Sequence, residues 1–511
     1  MSPAHRLVLI AAIAGLAGTI GVLWLSDVPL GVPGEWTWTR IVYSGAHVWG
    51  WIVAALVAGA YLGLVALGSR TIESGTRAIR AATLAALAVA GFAWLCCIQS
   101  AVPGISGLSK THFVLYYRQS SGYFWQARYD VNSSREFLAG YEDQLAERDY
   151  LHIGTHPPGL TLVFRGLLNV LEASPGLTDL VLATEPASTR EVATTIRQNE
   201  LRSGRDLRRV DEAVLWLAAV LAIAAAAATV IPLYILIAEC TDRRTAWFAA
   251  ALWPLVPGIA VFLPKSDAVF PLLSMLGPCL WLVGWRRRSL ACCGLAGLTL
   301  LGGMLLSLAI APIAILTAVA TVPYETVAGQ PDGQRAGRQW WLGSIAAAAA
   351  GFFLPVLLLQ AIYDLNLLRV WSWNVSNHAL FYEHNTRTWW KWLLVNPVET
   401  ALAAGGPLAL IAIIGALRSR ATRLFPLVAA TAVVWGLLWI SGKNMGEAAR
   451  LWLLLQPWVI VAAAGTMSEQ CTSATKAPPA RNAVWIALLA IQAIACIATV
   501  TRVDGFDLQM P

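Results

Sequence analysis

The sequence predicts an all-α integral membrane protein of about thirteen transmembrane helices, with one large outer loop that contains a surface helix. Three observations carry this prediction: 57% of the 511 residues are hydrophobic, only 13% are charged, and the mean hydropathy is +0.61. An ordinary soluble chain carries about twice that charge. A helix needs roughly 20 apolar residues to cross a hydrocarbon core, and apolar runs of this kind recur along the whole chain. The same composition excludes a disordered chain and a disulfide scaffold.

The first run, Leu7 to Leu25, follows His5 and Arg6 and is longer than a signal-peptide core. Ser26-Asp27-Val28-Pro29 comes after it with no small-residue cleavage site, so a retained first helix is expected. Further runs lie at 44–68, 81–102, 213–238, 246–263, 268–285, 290–306, 307–322, 341–361, 400–417, 424–441, 451–468 and 482–500. Within 290–322, Gly302-Gly303 and Pro312 permit either two short helices or one broken helix. Charge decides between them. With the amino terminus in the cytoplasm, every second connection is basic: Arg70/Arg77/Arg80, Arg243/Arg244, Arg286/Arg287/Arg288, Arg335/Arg338, Arg418/Arg420/Arg423 and Lys476/Arg481. Only two helices keep the later clusters inside. The chain then divides into three spans (1–102), an extracytoplasmic segment with an amphipathic helix (103–210), middle spans (211–362), an aromatic-rich outer loop (363–399) and four last spans (400–511). The protein is accordingly expected in the plasma (inner) membrane, with its working face on the extracytoplasmic side.

The net charge of +7 does not point to nucleic acid. Arg190, Arg197, Arg202, Arg205, Arg208 and Arg209 form a basic stretch without aromatic or groove-reading partners, which suits lipid head groups or a solvated face. Eight cysteines include the neighbours Cys96/Cys97 and Cys292/Cys293 in apolar runs, and no CxxC occurs, so neither redox nor zinc chemistry is expected. His378 and His384 do not have helical-pair spacing, and no metal site or resident cofactor is read from the sequence; a divalent cation has no support in it. Apart from His47 the spans carry almost no ionisable groups, which disfavours an ion-coupled transporter or proton pump.

Polar residues gather instead in the connections. The densest cluster runs from Ser121 through Tyr123, Arg128 and Asp130, past Tyr141, to Thr155-His156-Pro157-Pro158-Gly159. After Gly159 the segment LTLVFRGLLNVLE has apolar residues at helical spacing, so a helix is expected to start near Pro158 and run along the membrane surface. Two further polar corners are Pro264-Lys265-Ser266-Asp267 and the stretch from Gly442 to Trp458, which holds Glu447 and Arg450. The second long loop contains Trp371, Trp373, Trp389, Trp390 and Trp392, read mainly as interfacial anchors, with the alternative that some of their flat faces line a ligand groove.

An acidic residue in a large outer loop, followed by a THPPG corner and an amphipathic helix, resembles the GT-C glycosyltransferases. The nearest group is similar to bacterial relatives of the dolichyl-phosphate-mannose protein mannosyltransferases and of the lipid A aminoarabinose transferases. The resemblance implies transfer of a sugar from a polyprenyl-phosphate donor to a protein, lipid or glycan acceptor on the outer face. The chain departs from the family pattern in that its long loop follows the third span and Asp130 is followed by Val131 rather than a second acid.

Such a transfer needs a carboxylate to take the acceptor's proton and cations to meet the charge on the leaving phosphate. Asp130 is the expected base, with Glu142, Asp143 and Asp149 as alternatives, and His156 stands beside it. Lys265 and Arg450 are expected to hold the donor phosphate, with Tyr123, Arg128, Asp267 and Glu447 in support. Rival readings are a polymerase or ligase of lipid-linked glycans, which would use the loop arginines, and a flippase or permease, which would need a polar path across the bilayer.

Overall fold

The computed structural model describes residues 3–43, 48–328, 337–467 and 478–506. His47, Arg335, Lys476 and Ala477 lie outside the described residues. The chain is a helical membrane-protein bundle. Among the described residues, eight helices are long and apolar enough to cross a membrane: Pro3–Trp24, Val48–Ser74, Arg77–Gln99, Arg209–Ala238, Arg243–Phe262, Ser266–Arg287, Arg338–Tyr363 and Arg481–Val500. Trp389–Ala404 and Gly406–Arg418 together form a further apolar pair bent by 105° at Gly405. Four shorter apolar helices are Leu290–Leu306, Leu308–Thr321, Phe425–Ile440 and Leu453–Ala464. The ambiguous 290–322 stretch is thus two helices, separated at Ser307, whose backbone is extended (φ −161°, ψ 136°).

The helices differ in depth within the bundle. The apolar window of Arg243–Phe262 is 100% buried, whereas that of Arg338–Tyr363 is 6% buried, so the first is a central strut and the second a lipid-facing rim helix. The central strut is broken by Pro254 and Pro257, which lack the N–H that would close the helix ladder. Free carbonyls at membrane depth must find donors in neighbouring helices. They do: Tyr61 Oη donates to Ala251 O (2.8 Å), Trp94 Nε1 to Pro254 O (2.9 Å) and Gln492 Nε2 to Leu255 O (3.1 Å). The break turns the chain toward the Pro264–Asp267 corner.

Elsewhere the helices approach closely through small residues. Helix Pro3–Trp24 crosses Gly406–Arg418 at Gly15 and Gly406, where a Cβ on Gly15 would lie 2.5 Å from the Gly406 carbonyl. Such close backbone contact is a common way for helices to associate in lipid.

Two departures from the expected plan concern the connections. A three-stranded antiparallel sheet joins β1 (Leu30–Val32), β2 (Trp36–Arg40) and β3 (Val503–Asp504), with Leu30 opposite Trp38 and Arg40 opposite Val503. The aromatic-rich 363–399 segment is not a loop: it is helix Leu367–His384 followed by the first part of Trp389–Ala404. Asn366 caps the first of these through the Arg369 amide (3.2 Å). The hairpin and the second helix are tied together by Glu35, whose carboxylate accepts from Thr388 N (2.8 Å), Thr388 Oγ1 (2.6 Å), Lys391 Nζ (3.0 Å) and Trp392 Nε1 (2.8 Å). Burial works against ionisation of Glu35, but these four donors outweigh it and hold the carboxyl at about 2.

The 103–210 segment folds around its own apolar cluster of Phe113, Tyr116, Phe124, Phe164, Leu168, Leu171 and Ile196. The helix expected after Pro158 is Gly159–Glu172 and buries Leu160, Phe164, Leu168 and Leu171 on one face. Five of the six arginines of the basic stretch are engaged internally, Arg190 through the Leu182 and Glu185 carbonyls. Arg197 pairs with Glu212 (2.6 Å), Arg205 with Glu200 (2.5 Å), Arg208 with Glu172 (2.8 Å) and Asp211 (2.7 Å), and Arg209 with Asp179 (2.7 Å). These arginines fasten the segment to the start of helix Arg209–Ala228.

Candidate active site

Three chain corners meet at one end of the bundle. In the first, the short helix His152–Thr155 ends at His156, whose backbone is extended (φ −122°, ψ 151°) ahead of the two prolines. The His156 carbonyl accepts from Tyr141 Oη (2.8 Å) and from Asn374 Nδ2 (3.0 Å). Its Nδ1 lies 3.0 Å from His152 O. A carbonyl can only accept, so Nδ1 carries the proton and Nε2 presents a lone pair. The edge of the Tyr123 ring packs on the imidazole at 5.7 Å. Burial, followed by the opposing effects of Asp267 and Lys265, pulls His156 down to about 4. The ring is neutral at pH 7.

The second corner follows the broken central strut. Lys265 is 3% exposed and has no carboxylate within ion-pair distance among the described residues. Burial, and then the Arg450 guanidinium, pull its amine down to about 7 against the carboxylates of Asp267 and Glu447. Asp267 sits in the single turn Ser266–Ala268 that starts the next helix.

The third corner, between Ile440 and Trp452, has an unusual backbone. Asn444 (φ 62°) and Glu447 (φ 56°) are left-handed non-glycine residues, and Gly446 (φ 82°) lies between them. The positive φ favours glycine at 446, and a Cβ there would sit 3.0 Å from Arg387 Nε. The turn aims Arg450 inward. One guanidinium nitrogen donates to Glu447 (2.8 Å), while its buried Nε has no hydrogen-bond partner. Burial opposes the charge on Arg450, but Glu447, Asp267 and Tyr123 together raise its pKa.

These corners enclose a cavity of about 430 Å³ lined by Thr155, His156, Asp267, Ser307, Pro312, Trp371, Asn374, His378, Lys443, Asn444 and Trp452, with apolar residues between them. A second cavity, of about 490 Å³, is lined by Leu23, Val28, Trp38, Val261, Phe262, Leu394, Leu402 and Ala449 and is almost wholly apolar. The two share the segment that carries Arg450: Ala449 lines the apolar one, and Leu451 and Trp452 line the polar one. One carboxylate reaches the apolar cavity, that of Glu399, which accepts from Trp38 Nε1 and from Ala448 N (3.1 Å).

The structure therefore brings together His156, Lys265, Asp267, Glu447, Arg450 and Tyr123. It does not bring Asp130 or Arg128 to them. Asp130 ends the π-turn Gln126–Asp130 and is exposed. The turn is anchored by Thr161 donating to the Gln126 side chain (2.6 Å), with Gln126 and Ala127 buried, which leaves the Asp130 end outside. Partial burial raises the Asp130 pKa and Arg118 opposes it. Arg128 pairs with the buried Asp211 at 3.0 Å. The three alternative acids are also elsewhere: Glu142 faces Arg369 (3.7 Å), Asp143 is exposed, and Asp149 accepts from Leu151 N (2.8 Å). Asp267, expected only to support, is the carboxylate that lines the cavity.

Sequence reasoning missed Asn374, Trp452 and Lys443, and assigned no separate role to Trp371. With 367–384 read as a loop, Trp371, Asn374 and His378 had no common face; on a helix, positions i, i+3 and i+7 share one. Of the expected anchors, Trp389 and Trp390 are exposed, whereas Trp392 is buried on Glu35. His384 stacks on Tyr150 at 4.4 Å, away from the cavity that His378 lines. Compared with known proteins, the chain matches no family model and no curated sequence.

Proposed function

We propose that the protein is a membrane glycosyltransferase that moves a sugar from a polyprenyl-phosphate donor to an acceptor on the extracytoplasmic face of the plasma membrane. In this reading the bent pair and the four shorter apolar helices also span, which gives the thirteen-span plan expected from the sequence. The observation that carries the proposal is that His156 and Asp267 line a cavity next to an apolar one, while Lys265, with no carboxylate in ion-pair distance among the described residues, and Arg450, whose Nε has no partner, lie close enough to act on Asp267 electrostatically. Cavities of this size suit a small ligand or part of one. The apolar cavity suits an isoprenoid chain, the cations suit its phosphate, and the polar cavity suits the sugar and the attacking hydroxyl.

The acceptor oxygen attacks the anomeric carbon as the bond from that carbon to the phosphate oxygen breaks. The hydroxyl proton passes to the Asp267 carboxylate, and the polyprenyl phosphate leaves with the bond's electron pair. Lys265 and Arg450 meet the charge that grows on the phosphate, with Glu447 holding Arg450 in place. His156 offers Nε2 as an acceptor to a hydroxyl of donor or acceptor, its orientation set by Tyr141, Asn374 and His152. Arg128, Arg197, Arg205, Arg208 and Arg209 of the long loop are engaged in internal ion pairs, which favours the transferase over the polymerase and ligase reading.

The test is transfer by the full-length protein in proteoliposomes, supplied with short-chain polyprenyl-phosphate sugars bearing labelled mannose, glucose, galactose or arabinose. Release of polyprenyl phosphate coupled to labelled product is expected for at least one donor, and its loss in Asp267→Asn. Uptake of the intact donor across the bilayer without bond cleavage would replace transfer with transport.

A further inference from the structure

The cavity wall formed by helix Leu367–His384 bears polar atoms that the fold leaves without partners. Buried Asn374 is 1% exposed and uses its amide nitrogen on Gly154 O (3.0 Å) and His156 O (3.0 Å), while its Oδ1 accepts from nothing. Trp371 Nε1, one turn earlier, and Trp452 Nε1, from the third corner, are buried donors that donate to nothing. All three residues line the same cavity. Leaving a buried donor or acceptor unmade costs about 1–3 kcal/mol, so such groups gathered around one space mark where a ligand supplies the missing partners.

We propose that Trp371, Asn374, His378 and Trp452 form a subsite for an uncharged pyranose, the sugar that this protein handles. The indole N–H groups donate to hydroxyl oxygens, and Asn374 Oδ1 accepts a hydroxyl proton. The Trp371 ring, braced against Phe352 at 6.0 Å, offers a flat apolar face to the sugar's C–H groups. His378 completes the stripe one turn beyond Asn374. Burial, and then Lys443, hold it at about 4, so it is neutral at pH 7 and both donates and accepts.

The neutral stripe selects against ionised sugars. An ammonium or a carboxylate would find no counter-charge on the stripe and would meet one like charge on the cavity wall, Lys443 or Asp267. Only a polyhydroxyl ring satisfies two donors and an acceptor together without introducing charge.

This inference rests on the transferase reading for the occupant's origin but not for its chemistry, so binding is tested apart from turnover. The full-length protein in nanodiscs is examined by saturation-transfer NMR with methyl α-mannopyranoside, methyl β-glucopyranoside, methyl glucosaminide and methyl glucuronide. The neutral pyranosides are expected to receive saturation, strongest at ring C–H groups. Trp371→Phe and Trp452→Phe, which delete one N–H and keep a ring, should each weaken binding about 5- to 30-fold. These variants are preferred to changes at Asn374, whose amide also holds the His156 corner. Stronger binding of the charged glycosides, or affinity unchanged in both phenylalanine variants, overturns the subsite. Neutral-pyranoside binding that falls in those variants, in a protein that transfers no sugar, leaves the subsite standing and removes the transferase reading. Transfer from polyprenyl-phosphate sugars with an unaltered donor preference in both variants does the reverse.

Discussion

Lys265 gives the sharpest pH signature. Its amine is held at about 7, so it is charged below that pH and neutral above it. A phosphate beside it favours the charged form, and binding above pH 7 must therefore draw in a proton. Each pH unit costs about 1.36 kcal/mol, a factor of ten. Donor affinity is expected to be flat from pH 6 to 7 and then to fall roughly tenfold per unit, approaching a hundredfold by pH 9. The same group has a linked effect on stability. A lysine whose folded pKa lies below its unfolded value destabilises the fold most below the folded pKa, and the penalty fades as pH rises toward the unfolded value. The displacement from 10.5 to about 7 corresponds to a penalty of roughly 3–5 kcal/mol below pH 7. Lys265→Met is thus expected to raise the melting temperature at pH 6, to weaken donor binding, and to flatten its pH dependence. Lys265→Arg should flatten the pH dependence with less loss of affinity, because a guanidinium stays charged throughout. The assay is donor KM in proteoliposomes from pH 6 to 9, with thermal unfolding in parallel. A donor KM that rises equally above pH 7 in wild type and Lys265→Met would refute this reasoning.

The other expectations concern separate parts of the molecule. Asp267→Asn should abolish transfer while donor binding stays within a few-fold of wild type, whereas Asp130→Asn should retain turnover; the opposite ranking in a transfer assay would return the base to the long loop. Arg450→Ala should weaken donor binding by about 2–4 kcal/mol, since it removes a largely buried guanidinium; an effect on acceptor KM alone would take the phosphate away from it. Phe164→Ala should destabilise the 103–210 segment by about 3–5 kcal/mol, through the cavity left on the buried face of helix Gly159–Glu172, and is read as earlier proteolysis of that segment. Glu35→Gln should make Trp389–Ala404 easier to open at its start, by withdrawing the charged acceptor of four donors, with amide exchange at Thr388 and Trp389 as the measure.

The parts legible in the sequence were those in which neighbours along the chain decide the outcome. Helix Gly159–Glu172 could be read because Leu160, Phe164, Leu168 and Leu171 recur at helical spacing behind two prolines. The break at Ser307 was signalled by charge alternation. The 363–399 segment was misread because its tryptophans and histidines suggested an interfacial loop, although Asn366 supplies a helix cap and Leu367–His384 contains no proline or glycine. The sheet was invisible for another reason: β3 has two residues and pairs with a strand more than 460 positions earlier. In the candidate site, the THPPG corner and the two cations were singled out from the resemblance and from their place at polar corners between apolar runs. Asp130 was preferred to Asp267 because it lay in the richer polar cluster.

The sequence alone determined that this chain is a membrane-embedded helical bundle, and where most of its helices run, because transfer into lipid is governed by the length and composition of contiguous segments. Which carboxylate faces the cations, which arginines are already paired and which polar atoms lack partners were decided only by tertiary structure. His156, Asp267, Asn374 and Arg450 come from four distant segments, and their proximity depends on a proline-broken central helix, a left-handed turn at Asn444–Glu447 and a helix packed across the THPPG corner. No local pattern encodes that convergence, because a site depends on the relative positions of whole elements, whereas periodicity reports only the face that each element buries.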